Sequence, residues 1–312
     1  MDGYLPMAEG VAAVSAPLAR QQTIGQAITC TGVGLHTGRD VNVTLRPAPP
    51  GTGIVFRRID LGVDIPARFD AVSDTRLCTV LAAPDRADAV IGTVEHLMAA
   101  LSAGEIANIV VEVDGPELPV LDGSAEPWLF LLDCAGREAQ EALRTEIEIL
   151  RAVRIGEGEA FAELRPGGAG CLELNLAIDF SAEAIGRQSL SLAMRPGAFR
   201  EVARARTFAQ AHEIAGLRAA GLARGGSLDN AVVVDGAAVL NPAGLRMSDE
   251  FVRHKLLDAV GDLALGGALR GRFVGWRSGH ALNNRVLRAL FADASNWRAV
   301  QADGLGWLRD AA

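Results

Sequence analysis

Between residues 21 and 91, apolar and polar residues alternate over short runs, the period expected of half-buried strands. Residues 23–31, 41–46 and 54–58 read as β-strands, separated by turns such as Pro47-Ala-Pro-Pro-Gly-Thr-Gly53. A further strand is expected over 77–81. Thr93 then opens a helix as its N-cap, residues 108–113 return to strand, and Ser124 caps a second helix running to about Ala135. Residues 138–146 are polar and lack strong pattern, and read as a linker. The theme then restarts, with β-like runs at 147–155, 160–164 and 171–178, a helix over 209–220 and a strand over 231–234. A long helix over 249–265 stops at Gly266-Gly267, followed by a strand at 271–276 and a final helix at 282–291.

Each half thus runs strands first, then mixes strand and helix, which predicts an α+β fold of two similar layered units. The expected organisation is a loosely ordered leader at 1–20, a first domain at 21–137, the linker at 138–146, a second domain at 147–300 and a tail at 301–312. A cleft between two such halves is a common place for a ligand.

Composition narrows the function. With 49% hydrophobic and 22% charged residues the chain is globular, and its 312 residues suffice for two cores. The net charge of -8 disfavours a nucleic-acid binder, which usually carries a basic footprint. Cys30, Cys78, Cys134 and Cys171 are scattered without a C-x-x-C pair, as expected of small buried hydrophobes in a reducing compartment. No apolar run is long enough for a transmembrane helix. The apolar patch at 10–19 follows Asp2 and Glu9 rather than a basic stretch, so it does not read as a signal peptide.

Candidate chemistry concentrates on the helix at 249–265. His254, Asp258 and Asp262 recur every fourth residue and share one face, while Leu256, Leu257, Val260, Leu263 and Ala264 cover the rest. An imidazole and a carboxylate one turn apart can grip a metal ion, although ordinary surface helices carry such pairs too. Glu95-His96 lies in the first turn of its own helix and reads as a ligand beside a base, or as a surface Glu beside a half-buried His. His96, His254 and Asp258 together supply two nitrogens and one oxygen, leaving a fourth position for water as catalytic zinc requires. The same trio suits Fe(II) in an oxygenase, but such ligands usually sit on barrel strands, and Glu95 suits hydrolysis better.

Other segments are open to two readings. His280, in Ser278-Gly-His280-Ala-Leu-Asn-Asn, reads as an acid or a cation facing an oxyanion with Asp262 as its partner, or simply as a helix N-terminal residue. Thr207, in Ala205-Arg-Thr207-Phe208, reads as a helix cap, or as a hydroxyl donor with Phe208 as an apolar wall. Lys255 is expected to point away from Asp258, holding an anion at the cleft edge or merely solvated. The Gly-rich turns at 32–38 and 225–229 match neither a Walker loop nor G-x-G-x-x-G, and read as tight turns close to a ligand.

Taken in order, seven segments resemble the UDP-3-O-acyl-N-acetylglucosamine deacetylase family, zinc enzymes of lipid A biosynthesis. They are Thr31-Gly-Val-Gly-Leu-His-Thr-Gly38, Thr93-Val-Glu-His-Leu97, Pro119-Val-Leu-Asp-Gly-Ser-Ala125, Ala205-Arg-Thr-Phe208, Gly225-Gly-Ser227, the run from Phe251 to Asp262, and Ser278-Gly-His-Ala-Leu-Asn-Asn284. The resemblance implies two similar α/β-sandwich domains, each a β-sheet layered against helices, with the active site at their interface. It implies zinc on His96, His254 and Asp258, Glu95 as general base, His280 as partner charge oriented by Asp262, and Thr207 polarising the amide oxygen. A helical span of eight residues covers ~12 Å, too far for His254 and Asp262 to meet one ion comfortably. Lys255 and Phe208 would contact the sugar-nucleotide, and Leu35, Ile214, Gly226 and Val233 would line an apolar passage for the acyl chain.

The implied reaction is hydrolysis of the N-acetyl group of UDP-3-O-acyl-N-acetylglucosamine, with Zn²⁺ or Fe²⁺ as cofactor. The implied setting is the cytoplasm of a Gram-negative bacterium, at the inner-membrane surface that a lipid-bearing substrate suggests, with the chain acting as a monomer. The leader is longer than the family core needs. Ala223-Arg224 and His212-Glu213 fall at variable positions that leave the acyl length open, and no fused dehydratase domain is expected.

Overall fold

A computed structural model of the chain describes residues 18–302. Most of the expected leader, and the tail beyond Ala302, lie outside the described residues. The first half contains β1 (Arg20–Ile24), β2 (Ile28–Val33), β3 (Asp40–Pro47), β4 (Ile54–Arg58) and β5 (Val63–Pro66). It continues with β6 (Val72–Asp74), β7 (Val80–Ala83), β8 (Arg86–Ile91), α1 (Glu95–Ala103), β9 (Ile109–Val113) and α2 (Glu126–Ala135). Next come β10 (Arg137–Leu143), β11 (Thr145–Ile149), β12 (Val153–Glu157), β13 (Ala160–Arg165), β14 (Leu172–Asp179) and β15 (Arg187–Ala193). Then follow α3 (Arg200–Ala203), β16 (Phe208–Gln210), α4 (Ala211–Ala219), β17 (Val232–Asp235) and β18 (Ala238–Val239). The last elements are α5 (Glu250–Ala264), β19 (Leu269–Trp276), α6 (His280–Phe291) and β20 (Trp297–Gln301).

The fold is α+β. The first half builds a five-stranded sheet in the order β2-β3-β9-β4-β5 and a three-stranded sheet β6-β7-β8. Val41, Val43 and Leu45 of β3, with Ile109, Val111 and Val113 of β9, turn every second side chain inward, so one face of the sheet is core. The second half centres on β19, which pairs with β11, β13 and β14; β12, β15 and β20 lie outside them. A small separate sheet, β16-β17-β18, carries Phe208. One hydrophobic core runs from Ile24 to Leu290 through both halves.

α1 and α5 pack against one another at the middle of that core. Both are buried along most of their length, polar residues included: Glu95 and His96 on α1, and Glu250, His254, Asp258 and Asp262 on α5. They therefore bring the first turn of one half's helix against the polar face of the other's.

Several expectations are corrected. Residues 138–146 are not a patternless linker: Arg137–Leu143 is strand β10, paired antiparallel with β1, and Thr145 starts β11. β10 is largely exposed, so it lacks the apolar alternation that betrays a half-buried strand. The run at 23–31 breaks at Gly25-Gln26, whose N–H groups bond Gly136 and Ala135, and the run at 147–155 breaks at Leu150. The helix expected from residue 209 starts at Ala211, because Phe208–Gln210 pairs with β17 as strand. Thr207 is therefore no helix cap; Gln210 and Glu213 form the capping box of α4. Nor does Thr93 cap α1: with φ of 56° it sits in the left-handed region and its hydroxyl donates to Glu117 Oε1 (3.0 Å).

Candidate active site

The register of α5 places His254, Asp258 and Asp262 on one buried face, while α1 delivers Glu95 and His96 from its first turn. His254 Nε2 lies 3.4 Å and His96 Nε2 3.5 Å from the same oxygen, Asp258 Oδ1. The two imidazoles meet edge to face, with ring centroids 5.1 Å apart. One ligand atom from each of the three residues falls within 4.8 Å of the others, and all three residues are buried.

The hydrogen bonds around this trio leave its inner atoms unsatisfied. His254 Nδ1 donates to the carbonyl of Ala205 (3.1 Å), which directs Nε2 inward. Asp258 Oδ2 accepts from Lys255 Nζ (2.8 Å), whereas Oδ1 has no hydrogen-bond partner among the described residues. A buried carboxylate oxygen facing two imidazole nitrogens, with no proton donor of its own, fits a divalent cation with mixed nitrogen and oxygen ligands. The expectation for Lys255 is thereby corrected. Residues three apart on a helix are neighbours, and the flexible lysine stem curls back to Asp258 instead of leaving the face.

Burial lowers the His254 pKa to about 4, Asp258 opposing, so the ring is neutral as a ligand must be. Burial alone would raise the Asp258 carboxyl, but His254 and Lys255 hold it well below the usual carboxylate range. For Lys255, burial works against the ammonium, and Asp258 outweighs it to raise the group. The Glu95 carboxyl is raised by burial, with His280 and His96 opposing. His280 behaves in the reverse sense: burial lowers it, yet the charge and hydrogen bond of Asp262 push it up to about 9.

His280 Nδ1 donates to Asp262 Oδ2 (2.9 Å), as the sequence suggested. Asp262 also accepts from Asn283 Nδ2 (2.9 Å) and from the hydroxyl of Thr79 (2.5 Å). The backbone N–H of Thr79 donates to Glu95 Oε2 (3.1 Å). One threonine thus ties the carboxylate of Glu95 to the His280–Asp262 pair. Sequence reasoning missed it: residues 77–81 read as strand, but β7 starts only at Val80 and leaves Thr79 in a short irregular segment with no motif of its own. Glu117 was also missed. Its buried carboxylate takes the N–H groups of His36 (2.8 Å) and Thr37 (2.9 Å) and so pins the Gly-rich turn.

A cavity of about 200 Å³ opens over this cluster, lined among others by Leu35, His36, Glu95, Thr207, Phe208 and His280. His36 brings two ring nitrogens that have no hydrogen-bond partner among the described residues.

The profile of the UDP-3-O-acyl N-acetylglycosamine deacetylase family matches residues 21–292. The chain belongs to this family. The UDP-3-O-acyl-N-acetylglucosamine deacetylase of Idiomarina loihiensis is 49% identical over 290 residues, covering 91% of this chain and 94% of that protein. That of Phenylobacterium zucineum is 50% identical over 283 residues, covering 89% and 95%. That of Anaeromyxobacter is 47% identical over 283 residues, covering 90% and 91%.

In this member of the deacetylase family, the segments that carried the resemblance converge in space. The turns at 32–38 and 225–229 lie against each other, with Gly225 N–H bonded to Leu35 O (3.0 Å). A Cβ on Gly225 would meet Gly34 O at 2.3 Å, so this glycine serves a close approach of backbones, whereas a Cβ on Gly34 would meet the side chains of Thr37 and Glu117. Leu35, Phe208, Thr207 and Lys255 reach the cavity. Ile214, Gly226 and Val233 are not among its lining residues. Gly226 borders Leu35, Val233 is buried on β17, and Ile214 is half-buried on α4.

Proposed function

We propose that the chain is a metal-dependent amidohydrolase of lipid A biosynthesis. It removes the N-acetyl group of UDP-3-O-acyl-N-acetylglucosamine, releasing acetate and UDP-3-O-acyl-glucosamine. The observation that carries this reading is the unsatisfied Asp258 Oδ1 facing His96 and His254, with the buried Glu95 adjoining. The names and coverage of the relatives support the substrate.

His96, His254 and Asp258 would hold Zn²⁺, and Fe²⁺ suits the same donors. When bound, the ion supplies Lewis acidity, polarising a carbonyl oxygen and making water nucleophilic near neutral pH. Glu95 takes the proton of the attacking water, and its burial raises its affinity for that proton. Thr207 offers its hydroxyl to the acetyl oxygen. His280, kept protonated by Asp262, sets a positive charge against the oxyanion. Glu95 or His280 then delivers a proton to the departing amine. Phe208 and Lys255 at the cavity wall would contact the sugar-nucleotide, with Leu35, Ile214, Gly226 and Val233 leading the acyl chain away.

Every residue invoked lies on one chain, so a monomer suffices. No helix among the described residues is long and apolar enough to cross a membrane, and we place the enzyme at the cytoplasmic face of the inner membrane on the strength of its lipid-bearing substrate.

Metal analysis combined with an acetate-release assay, with and without chelator, tests the proposal. Stoichiometric metal and acetate release that a chelator abolishes and added Zn²⁺ restores are expected. Unchanged release from stripped protein would exclude the metal role, and no release from loaded protein would exclude the activity.

The protonated state of His280 fixes a pH dependence. Since Asp262 raises its pKa, activity should be present below that pKa and lost as pH climbs through it. Asp262→Asn removes the raising charge, so the alkaline limb of the kcat/KM profile should move down by roughly 1–3 pH units. A dication on the neighbouring ligands also lowers the limb, equally in both proteins. An alkaline limb that stays in place in Asp262→Asn would show that His280 is not the group titrating.

A further inference from the structure

Glu250 precedes His254 by one turn of α5, so their side chains leave the same face of the helix. Glu250 is wholly buried and its carboxylate is fully occupied. Oε1 accepts from the backbone N–H of Arg206 (3.0 Å) and from its Nε (2.8 Å). Oε2 accepts from Arg206 Nη2 (3.1 Å) and from the backbone N–H of Arg246 (2.7 Å). Arg206 is buried as well, and its Nη2 also donates to Gly244 O (2.9 Å).

The carbonyl that receives His254 Nδ1 belongs to Ala205, and the N–H held by Glu250 belongs to Arg206. These are the two ends of a single peptide group. Because that group is planar and trans, fixing the direction of its N–H fixes the direction of its carbonyl. One face of α5 therefore grips one peptide plane from both sides, with Glu250 on the N–H and His254 on the oxygen.

We propose that the buried Arg206–Glu250 pair is a positioning device for His254. By holding the Ala205–Arg206 peptide it sets the tautomer of the imidazole and the direction in which Nε2 points. The inference rests on the metal-binding reading of His96, His254 and Asp258. A buried ion pair is seldom the most stable filling for its volume, since apolar residues of similar size often do as well. Its placement against the peptide that orients a candidate ligand gives it a task that apolar residues could not perform. Partners of this kind typically contribute roughly 10–100-fold to metal affinity.

The test compares three proteins with wild type. The double variant Arg206→Met/Glu250→Met removes both charges and leaves the peptide N–H without its acceptor. Glu250→Gln keeps the size and one acceptor, and reads the same effect at smaller amplitude should the double variant not accumulate. Val43→Ala, in the fully buried core of the other half, controls for loss of stability alone. Zinc affinity by competition with a chromophoric chelator, the visible spectrum of the Co²⁺ form and the melting temperature of metal-free protein are recorded for each.

The double variant should bind zinc roughly 10–100-fold more weakly with altered Co²⁺ bands, while Val43→Ala melts earlier yet binds as wild type. Wild-type affinity and spectrum in a folded Arg206 or Glu250 variant would overturn the inference. So would an equal loss of affinity in Val43→Ala, which would assign the effect to stability. A wild-type protein that binds no metal would instead overturn the metal reading itself.

Discussion

Glu95→Gln should slow acetate release by roughly 10²–10⁴-fold while metal content stays at the wild-type level. The glutamine keeps the volume of the side chain and an oxygen to accept the N–H of Thr79, now at 3.1 Å. It removes only the capacity to take and return a proton. Glu95 borders the cavity but is not one of the three clustered ligand residues, so its loss should leave zinc in place. Burial matters to the size of the effect. A carboxylate raised above its ordinary value holds an abstracted proton better, and can pass it to the amine at neutral pH. The check is kcat by acetate release, alongside zinc stoichiometry and melting temperature. Full turnover in Glu95→Gln would remove the base assignment, and loss of zinc would make Glu95 part of the metal site.

The elements with strong periodicity were legible in the sequence. Residues 54–58 are strand β4 to the residue, and the helix expected over 249–265 is α5 from Glu250 to Ala264. The face shared by His254, Asp258 and Asp262 follows from helical spacing alone. That His96 joins them did not follow from spacing, because the contact depends on how two helices more than a hundred residues apart pack. Donor chemistry suggested that trio, the resemblance implied it as a ligand set, and the geometry places the three together. Thr79 and Glu117 were illegible for a related reason. Each acts through hydrogen bonds to residues remote in the chain or through a backbone N–H, and neither leaves a periodic trace. Lys255 was misread because its position was judged from the direction of its Cβ, whereas a long side chain can fold back over one turn. The largely exposed strand β10 was missed since alternation marks a strand only where one of its faces is buried.

Gly261→Ala should lower the melting temperature and cut both zinc affinity and activity, although alanine is the better helix former by about 1 kcal/mol. Gly261 lies between Asp258 and Asp262 on α5, where that helix crosses the start of α1. A Cβ at this position would stand 2.0 Å from the carbonyl oxygen of Glu95, 2.7 Å from its carbonyl carbon and 2.9 Å from its Cα. All three are backbone atoms, so no side-chain rotation relieves the clash; one helix must move. Overpacking of this kind typically costs about 1–3 kcal/mol, occasionally more. The functional loss should exceed the stability loss, because the residue displaced is the proposed base itself, next to His96. His96 Nε2 stands 3.5 Å from Asp258 Oδ1 across this same crossing, and a misplacement of about 1 Å can cost ~10²-fold in rate. Gly216→Ala on the exposed face of α4 is the matched control, since a Cβ there meets nothing within 4 Å. It should leave activity unchanged and stability equal or slightly higher. Wild-type melting and turnover in Gly261→Ala would mean that α1 and α5 do not approach this closely, and the shared site they assemble would lose its geometric basis.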